Sequence, residues 1–571
     1  MATEAIPQSS SGHAQTTADS ASNPVAKREF LGILRSRKAF AVIFGLTIVF
    51  MVAVLLRWPS AGTVDLSGKQ SLQVFRMFGY GLLAGVIFLV PAFPAVSIVN
   101  EKNDGTLALL LNSPLTPLKI YLGKLAGILM FAALVLMASL PGAAACYVMG
   151  GVDLYSGILR FYLLLVLLIV HYVTLAMLVS SYVHTADAGV RITYTAIFVT
   201  ALLTLLPAAF FVGDAGILGT VSGYLRSVSP IPVLTELMQQ SSPGQRGLIG
   251  QSTWPRFVVF ASISSLVCAV WTLSRLNYRI FDRSRAQGVI TDDRSTGERV
   301  LRRLMYIVDP QRRKAGIPWY LNPVMVKEFR CRRFGRSQWL FRLVAISAML
   351  SVALTFAAAT SVTAWGTETI GGLMVVLQVI LIVVLTPSLA SGLISGERDG
   401  SGWELLRLTP LSASKIIRGK LLSVLWTLTL VLLATLPGYL VMIYIQPQMI
   451  VQVRLVLLCL LLTVIYTLAV SAAVGSFFRT TASATTVTYI IVISIFVAPL
   501  LVWLGRDAPF GYDFVNAALS TNPACAALSV INSPGFESYD LLPDAFWFAG
   551  ILSAIMFCLF GYQVWRLTRP V

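Results

Sequence analysis

The sequence predicts an all-α integral membrane protein of about 12 transmembrane helices in two parallel, pseudo-symmetric six-helix halves. Three observations predict this class: a low charge content, many apolar runs of membrane-spanning length, and an internal repeat. Of the 571 residues, 56% are hydrophobic and 12% are charged, whereas soluble chains carry about 25% charged residues. So little charge cannot cover a soluble particle of this size. The composition therefore excludes a soluble enzyme and a secreted disulfide-rich module.

Twelve apolar runs are long enough to cross a bilayer, which takes about 20 residues per helix. The first six lie near 40–57, 77–99, 124–149, 157–183, 191–212 and 254–274. The second six lie near 338–360, 370–395, 421–446, 453–476, 485–505 and 545–565. A basic stretch separates the two sets.

An internal repeat relates the two sets of spans. The pairs Glu101 and Glu397, Pro114 and Pro410, and Lys119 and Lys415 are each 296 residues apart. Offsets of 295 to 299 hold at other motifs along the chain, which indicates a tandem duplication. Because each half has an even number of spans, both halves have the same orientation, and parallel repeats are related by an axis along the membrane normal.

The charge bias predicts the topology. Between Arg275 and Arg342 there are 17 basic and 6 acidic residues, a local +11 of the net +18. Basic residues mark cytoplasmic loops, so both termini and the linker are expected in the cytoplasm, the chain spanning the cytoplasmic (inner) cell membrane. A nucleic-acid partner is not expected. The predicted organisation is a disordered tail, a first half, a basic cytoplasmic linker and a second half, at 1–23, 24–274, 275–321 and 322–571.

Each half begins with a short basic and apolar segment, near 24–38 and 323–337. Its periodicity favours an amphipathic helix in the inner headgroup layer, although an ordinary basic flank of a span is the alternative. Both copies start with Asn-Pro, and proline suits a helix N-terminus. We name this the elbow helix. Its candidate residues are Lys27, Glu29, Phe30, Lys327, Glu328 and Phe329.

The loop after the second span is the most informative segment of each half. A charged cluster at Glu101 or Glu397 ends the span, glycine turns the chain, and a short Leu-rich helix follows. Ser-Pro or Thr-Pro then ends that helix, because proline disfavours a helical conformation in the preceding residue. A plain inter-span loop is the alternative, but plain loops diverge after duplication. This one has kept its length and its Glu, Pro, Lys and Gly positions.

This loop, with Leu-Leu, Ser/Thr-Pro-Leu, an Ile and Gly-Lys-Leu in both copies, resembles the hallmark loop of ABC-2 type transporter permeases. The resemblance covers both halves. It implies a six-helix exporter half with an elbow helix, a coupling helix and short re-entrant helices before the last span, for which 213–253 and 506–544 offer room. Family members commonly hold one half per chain. The residues assigned to coupling are Glu101, Gly105, Leu109, Pro114, Lys119, Glu397, Trp403, Leu405, Pro410 and Lys415.

No Walker A motif is present, because Gly68-Lys69, Gly123-Lys124 and Gly419-Lys420 are not followed by Ser or Thr. We therefore expect no catalytic residue, cofactor or metal in this chain. The expected partners are the bilayer and two copies of a separate ATPase that binds ATP and Mg. No pair of cysteines has metal-ligand spacing.

Three residues within the spans are candidates for a substrate path or hinge: Pro91, His171 and Pro387. Ionisable groups in a membrane are costly and often functional, although a hydrogen bond between helices is the alternative role for His171. The two prolines are expected to kink the second span of each half, with Thr386 or a neighbour bonding the freed carbonyl.

The resulting hypothesis is the permease subunit of an ABC-2 exporter for an amphiphilic, lipid-like or drug-like substrate. A 12-span secondary transporter is an alternative, but no carboxylate lies well inside a span to bind a coupling ion. A membrane-embedded transferase would need a carboxylate, His or metal constellation that is not evident. A non-transporting membrane partner of an ATPase is the third alternative.

Overall fold

A computed structural model gives the structure of this chain. The described residues are 23–35, 44–45, 47–48, 69–148, 152–201, 203–205, 216–238, 253–276, 321–331, 344–345, 347–349, 351–352, 367–400, 402–504, 506 and 511–568. Throughout these residues the regular structure is helical, with no strand. The predicted helical class is confirmed.

The first repeat contains ten α-helices within the described ranges. They are α1 (Pro24–Leu34), α2 (Lys69–Leu89), α3 (Ala92–Asn103), α4 (Thr106–Leu111), α5 (Pro117–Val148), α6 (Arg160–Tyr182), α7 (Ala186–Ala201), α8 (Ile217–Arg226), α9 (Pro230–Leu237) and α10 (Thr253–Arg275). A π-helical turn, Leu154–Leu159, leads into α6, and a 3-10 turn, Leu203–Leu205, follows α7.

The second repeat contains eleven α-helices within its described ranges. They are α11 (Pro323–Cys331), α12 (Thr367–Ala390), α13 (Gly392–Asp399), α14 (Gly402–Arg407), α15 (Ala413–Ala434), α16 (Leu436–Ile445), α17 (Ile450–Ser476), α18 (Thr481–Leu504), α19 (Tyr512–Ser520), α20 (Pro523–Val530) and α21 (Asp544–Thr568). A 3-10 turn, Pro447–Met449, precedes α17.

Nine helical segments of the described chain are long and apolar enough to cross a membrane. They are Val74–Asn103, Pro117–Val148, Leu154–Tyr182, Thr253–Arg275, Glu368–Asp399, Ala413–Ile445, Pro447–Ser476, Thr481–Leu504 and Asp544–Thr568. The predicted span near 191–212 is described as α7 and its short following turn. The predicted spans near 40–57 and 338–360 fall mostly outside the described residues, as do the tail, the linker and the last residues of the second elbow segment.

Contacts divide the chain into two compact units. The first comprises Met1–Val74, Leu82–Thr185 and Phe260–Asp282, and the second Phe75–Gly81, Ala186–Val259 and Arg283–Val571. In the first unit, α1 packs on α5 and α3 packs on α6. In the second unit, α17 is the central helix and packs against α12, α18, α20 and α21.

Two short helices stand before the last span of each repeat, where the re-entrant helices were expected. Ser229 accepts a hydrogen bond from the Ile231 N–H at the start of α9 and donates to the Ala201 carbonyl. Asn522 accepts from the Ala524 N–H at the start of α20 and donates to the Phe496 carbonyl. One polar side chain therefore both caps the helix and holds it to the preceding span.

Candidate functional site

The elbow helix is fastened to the start of the third span in the same way in both repeats. Asn23 Oδ1 accepts from the Val25 N–H at 3.1 Å, which caps α1, while its Nδ2 donates to the Lys119 carbonyl at 2.6 Å. Asn322 makes the equivalent bonds at 2.9 Å to the Val324 N–H and at 2.7 Å to the Lys415 carbonyl. The asparagine of the Asn-Pro start thus caps the elbow helix and also bonds it to the start of the third span.

A glycine permits this close approach. A Cβ atom on Gly123 would lie 2.7 Å from Val25 Cβ. The same atom on Gly419 would lie 2.7 Å from Val324 Cβ and 2.7 Å from Asn322 Oδ1. Both distances are below van der Waals contact, so a larger residue would push the elbow helix away. The glycine of the Gly-Lys-Leu sequence is therefore a packing residue.

The lysine after each glycine is the centre of a buried ion cluster. Lys124, of which 2% of the side chain is exposed, lies 3.1 Å from Glu29 and 2.9 Å from Glu101. Its Nζ also donates to Ser97 Oγ at 3.1 Å. Arg28 bonds both carboxylates from the outer side. The cluster therefore joins α1, the end of α3 and the start of α5.

The second repeat builds the same cluster from equivalent residues. Lys420 lies 2.7 Å from Glu328 and 3.1 Å from Glu397. Lys327, at the position equivalent to Arg28, bonds Glu397 at 2.6 Å. The side chains of Lys420 and Glu328 are 0% and 3% exposed, so this pair is less accessible to water than Lys124 and Glu29 in the first repeat.

The cations control the charge state of Glu29. Burial alone would raise the pKa of this carboxyl, but Lys124 and Arg28 outweigh it and hold the pKa below its usual range. Glu29 is therefore ionised at neutral pH. Removing any one member of such a cluster destabilises the fold, because the remaining charge would stay buried without a counter-ion.

Between the cluster and the third span, a short surface helix presents one exposed leucine in each repeat. Leu109 on α4 is 72% exposed and Leu405 on α14 is 69% exposed. Pro114, Lys119, Pro410 and Lys415, from the predicted set, are exposed beside them. We call Glu101–Lys119 and Glu397–Lys415 the two coupling segments. Each coupling segment therefore presents an exposed leucine and an exposed lysine.

Other members of the predicted set hold the coupling segments in place. Gly105 has a φ of 74°, a left-handed conformation that glycine adopts without strain, and it starts α4. Trp403 is buried, and its Nε1 donates to the Leu567 carbonyl at the end of α21. Among the elbow residues, Phe30 and Phe329 are half-buried, whereas Lys27 is exposed.

The prolines interrupt the second span differently in the two repeats. Pro91 lies between α2 and α3, at the break in the helix. In contrast, α12 continues through Pro387 and the break falls at Ser391. Thr386 accepts a hydrogen bond from Thr467, and within the described residues it donates none to a carbonyl. Tyr489 on α18 donates to the Val384 carbonyl, about two turns before the break.

His171 is buried on α6 at 3% exposure, against the rings of Tyr172 and Phe260. Within the described residues neither ring nitrogen has a hydrogen-bond partner. The hydrogen bond between helices considered for His171 is therefore not found there.

A further contact joins helices of the two repeats within the second compact unit. Tyr194 on α7 and Tyr489 on α18 are equivalent residues, and their ring centroids lie 5.2 Å apart. Asp187 Oδ1 accepts from Thr485 Oγ1 at 2.7 Å, nearer the start of both helices. We call this contact between α7 and α18 the seam.

Sequence reasoning missed Lys124, Lys420 and Arg28. From the sequence, the two Gly-Lys pairs are part of the repeated loop and their lysines are assigned no role. A signal was present, because the lysine recurs at the eighth residue of α5 and of α15, at the same offset as Glu101 and Glu397. A charge placed so near the membrane needs a partner.

The hydropathy and the helices define the class of this chain, a multi-pass α-helical membrane protein. Residues 57–273 match the model of a family described as ABC-2 family transporter protein. The match covers α2 to α9 and most of α10. The resemblance to ABC-2 permeases is thereby confirmed for this part of the chain. A comparison with curated proteins found no match.

Proposed function

We propose that the chain is the complete permease of an ABC-2 exporter, with two permease halves fused in one polypeptide. Two copies of a separate ATPase subunit would dock on the two coupling segments from the cytoplasm. ATP and Mg would be bound by those subunits, since this sequence holds no phosphate-binding loop. The residues after 273 lie outside the family match, so the second half is assigned from its repeated residues.

The observation that carries the proposal is the repetition of one assembly. In both repeats a buried lysine ties the elbow helix to the end of the second span, directly before a surface helix with an exposed leucine. Exposed apolar residues of this kind suit a protein partner. A force on the surface helix would reach two spans through the ion cluster. Lys119 and Lys415 favour an acidic rim on the partner surface.

The substrate class follows from the composition of the spans. Within the described residues no carboxylate lies in the middle of a spanning helix, and the buried polar groups there are mostly Ser and Thr hydroxyls. Such an environment accepts apolar and amphiphilic molecules more readily than ions. We infer export of an amphiphilic, lipid-like or drug-like substrate across the cytoplasmic membrane, with both termini in the cytoplasm.

The test is co-purification from the native host. The tagged chain in mild detergent should retain an ATPase, and Leu109→Glu with Leu405→Glu should remove it, because each places a charge in the apolar contact. Tyr155→Glu is the matched control, since Tyr155 is 73% exposed in the π-helical turn before α6, outside both coupling segments. Retention of the ATPase by the double variant would refute the docking assignment. Absence of any ATPase from the unmodified chain would refute the function.

A further inference from the structure

The two coupling segments are connected to the spans in different ways. In the second repeat, α13 leads directly into the coupling segment and is tied at both ends to α18. At its start, Ser391 Oγ lies 3.0 Å from Thr485 Oγ1. At its end, Asp399 Oδ2 accepts from Thr481 Oγ1 at 2.7 Å and from the Thr481 N–H at 3.2 Å. The helix α13 therefore lies against the first turns of α18.

One hydroxyl in this arrangement serves two partners. Thr485 is fully buried and has a single proton, which it donates to the Asp187 carboxylate. The bond to Ser391 must then run the other way, with Ser391 donating to Thr485. Hydrogen bonds to an ionised group are the stronger kind. A continuous line of polar contacts thus runs from α13 through Thr485 to Asp187, at the seam.

The first repeat cannot make these bonds. The residues equivalent to Ser391, Thr485 and Thr481 are Ala95, Val190 and Ala186, none of which has a polar side-chain atom. The helix equivalent to α13, α3, is tied elsewhere.

Ser180 on α6 accepts from the N–H groups of Ile98 and Val99 on α3, each at 3.2 Å. Its equivalent in the second repeat is Gly475, whose missing side chain lets α17 meet the Ser391 backbone. An exposed contact of 3.2 Å between Lys102 and His184 also connects the end of α3 with the turn before α7. His184 stands three residues before Asp187 in the sequence.

We propose that the second coupling segment controls the seam through a line of side-chain hydrogen bonds that the first repeat cannot form, with Thr485 as the positioning residue that transmits its movement to Asp187. The first coupling segment acts on α6 through Ser180. The two cytoplasmic inputs are therefore unequal although the chain is a duplication. This inference rests on the proposed function, because the coupling segments are inputs only where an ATPase docks on them. The hydrogen-bonded connection from α13 to Asp187 can be tested in this chain alone.

The experiment uses the full chain in lipid nanodiscs without any ATPase, so a wrong partner assignment does not affect it. Hydrogen exchange is followed in the peptide 186–194, the first turns of α7 at the seam. Glu397→Gln loosens the second segment, and Glu101→Gln is the matched change in the first. We expect Glu397→Gln to speed exchange in this peptide several-fold and Glu101→Gln to speed it clearly less, because the first repeat has no polar side chains at Ala95, Val190 and Ala186.

Thr485→Val then tests the connection. Valine already occupies the equivalent position at Val190, so the shape is tolerated in this fold. In the Thr485→Val background Glu397→Gln should cause no further change, whereas Thr485→Ser should restore the response. If Thr485→Val does not fold, Asp187→Asn replaces it in the same comparison. An equal response to Glu101→Gln, or a response that persists without the hydroxyl or the carboxylate, would overturn the proposal.

Discussion

Lys420 and Glu328 form an ion pair, 2.7 Å between Nζ and Oε1, in which neither side chain reaches water. Glu397 is the second carboxylate on the same ammonium group. The cost of burying these charges is repaid only while all members are present. The pair therefore locks the elbow helix of the second repeat to its third span.

Removal of the central cation should be strongly destabilising. We expect Lys420→Met to cost about 3–5 kcal/mol, the usual loss when one partner of a buried pair is removed. Lys327→Met is the control, because Lys327 is 39% exposed and should cost less than about 1 kcal/mol. Thermal unfolding in detergent measures both. Equal losses of stability in the two variants would contradict the role given to burial of the pair. Adding Glu328→Gln to Lys420→Met should restore part of the stability.

The close approach at Gly419 gives a second prediction. Gly419→Ala should lower the unfolding temperature, because the new methyl group would overlap Val324 and Asn322. Overpacking of this kind typically costs about 1–3 kcal/mol. In Gly550→Ala the methyl group meets open space, so alanine should be neutral or stabilising in α21. Unchanged stability of Gly419→Ala would contradict the packing described for the elbow helix.

The charge state of Glu29 predicts the pH response of the first cluster. Its pKa is lower in the folded chain than the ordinary value of 4.5. The unfolded chain then binds more protons, so this contribution to stability is full above about pH 5 and is lost as the pH falls through the folded pKa. Melting temperatures between pH 3 and 7 should fall more steeply on acidification for the unmodified chain than for Glu29→Gln. Parallel curves of melting temperature against pH for the two proteins would contradict this role of Glu29.

The sequence predicted the helices well because lipid demands long apolar runs, and the bounds of α10 and α21 follow those runs closely. The repeat offset also predicted which loops correspond. It did not predict the break at Ser391, because that break depends on the approach of α17 at Gly475, a tertiary contact without a local signal. Proline position alone suggested Pro387, and packing moved the break by one helical turn.

The carboxylates at the ends of the second spans should be needed for energy coupling. In a complex reconstituted with the proposed ATPase subunits, Glu101→Ala or Glu397→Ala should reduce ATP-driven export while the chain still inserts, because each releases the coupling segment from the buried lysine. Export is measured with a fluorescent amphiphile in vesicles. Asp104→Ala is the control, being exposed beside Glu101 at the end of α3. Full export by both Glu variants would remove the clusters from the mechanism.

The side chains of Asn23 and Asn322 each hold a surface helix and a spanning helix by one amide group. While the asparagine amide keeps these hydrogen bonds, neither helix can slide along the other. A bilayer that thins or thickens tilts its spans. With the elbow helix in the headgroup layer, as the sequence predicts, a tilted third span would draw that helix with it. The thickness of the surrounding lipid would then act on the same residues that carry the ion cluster.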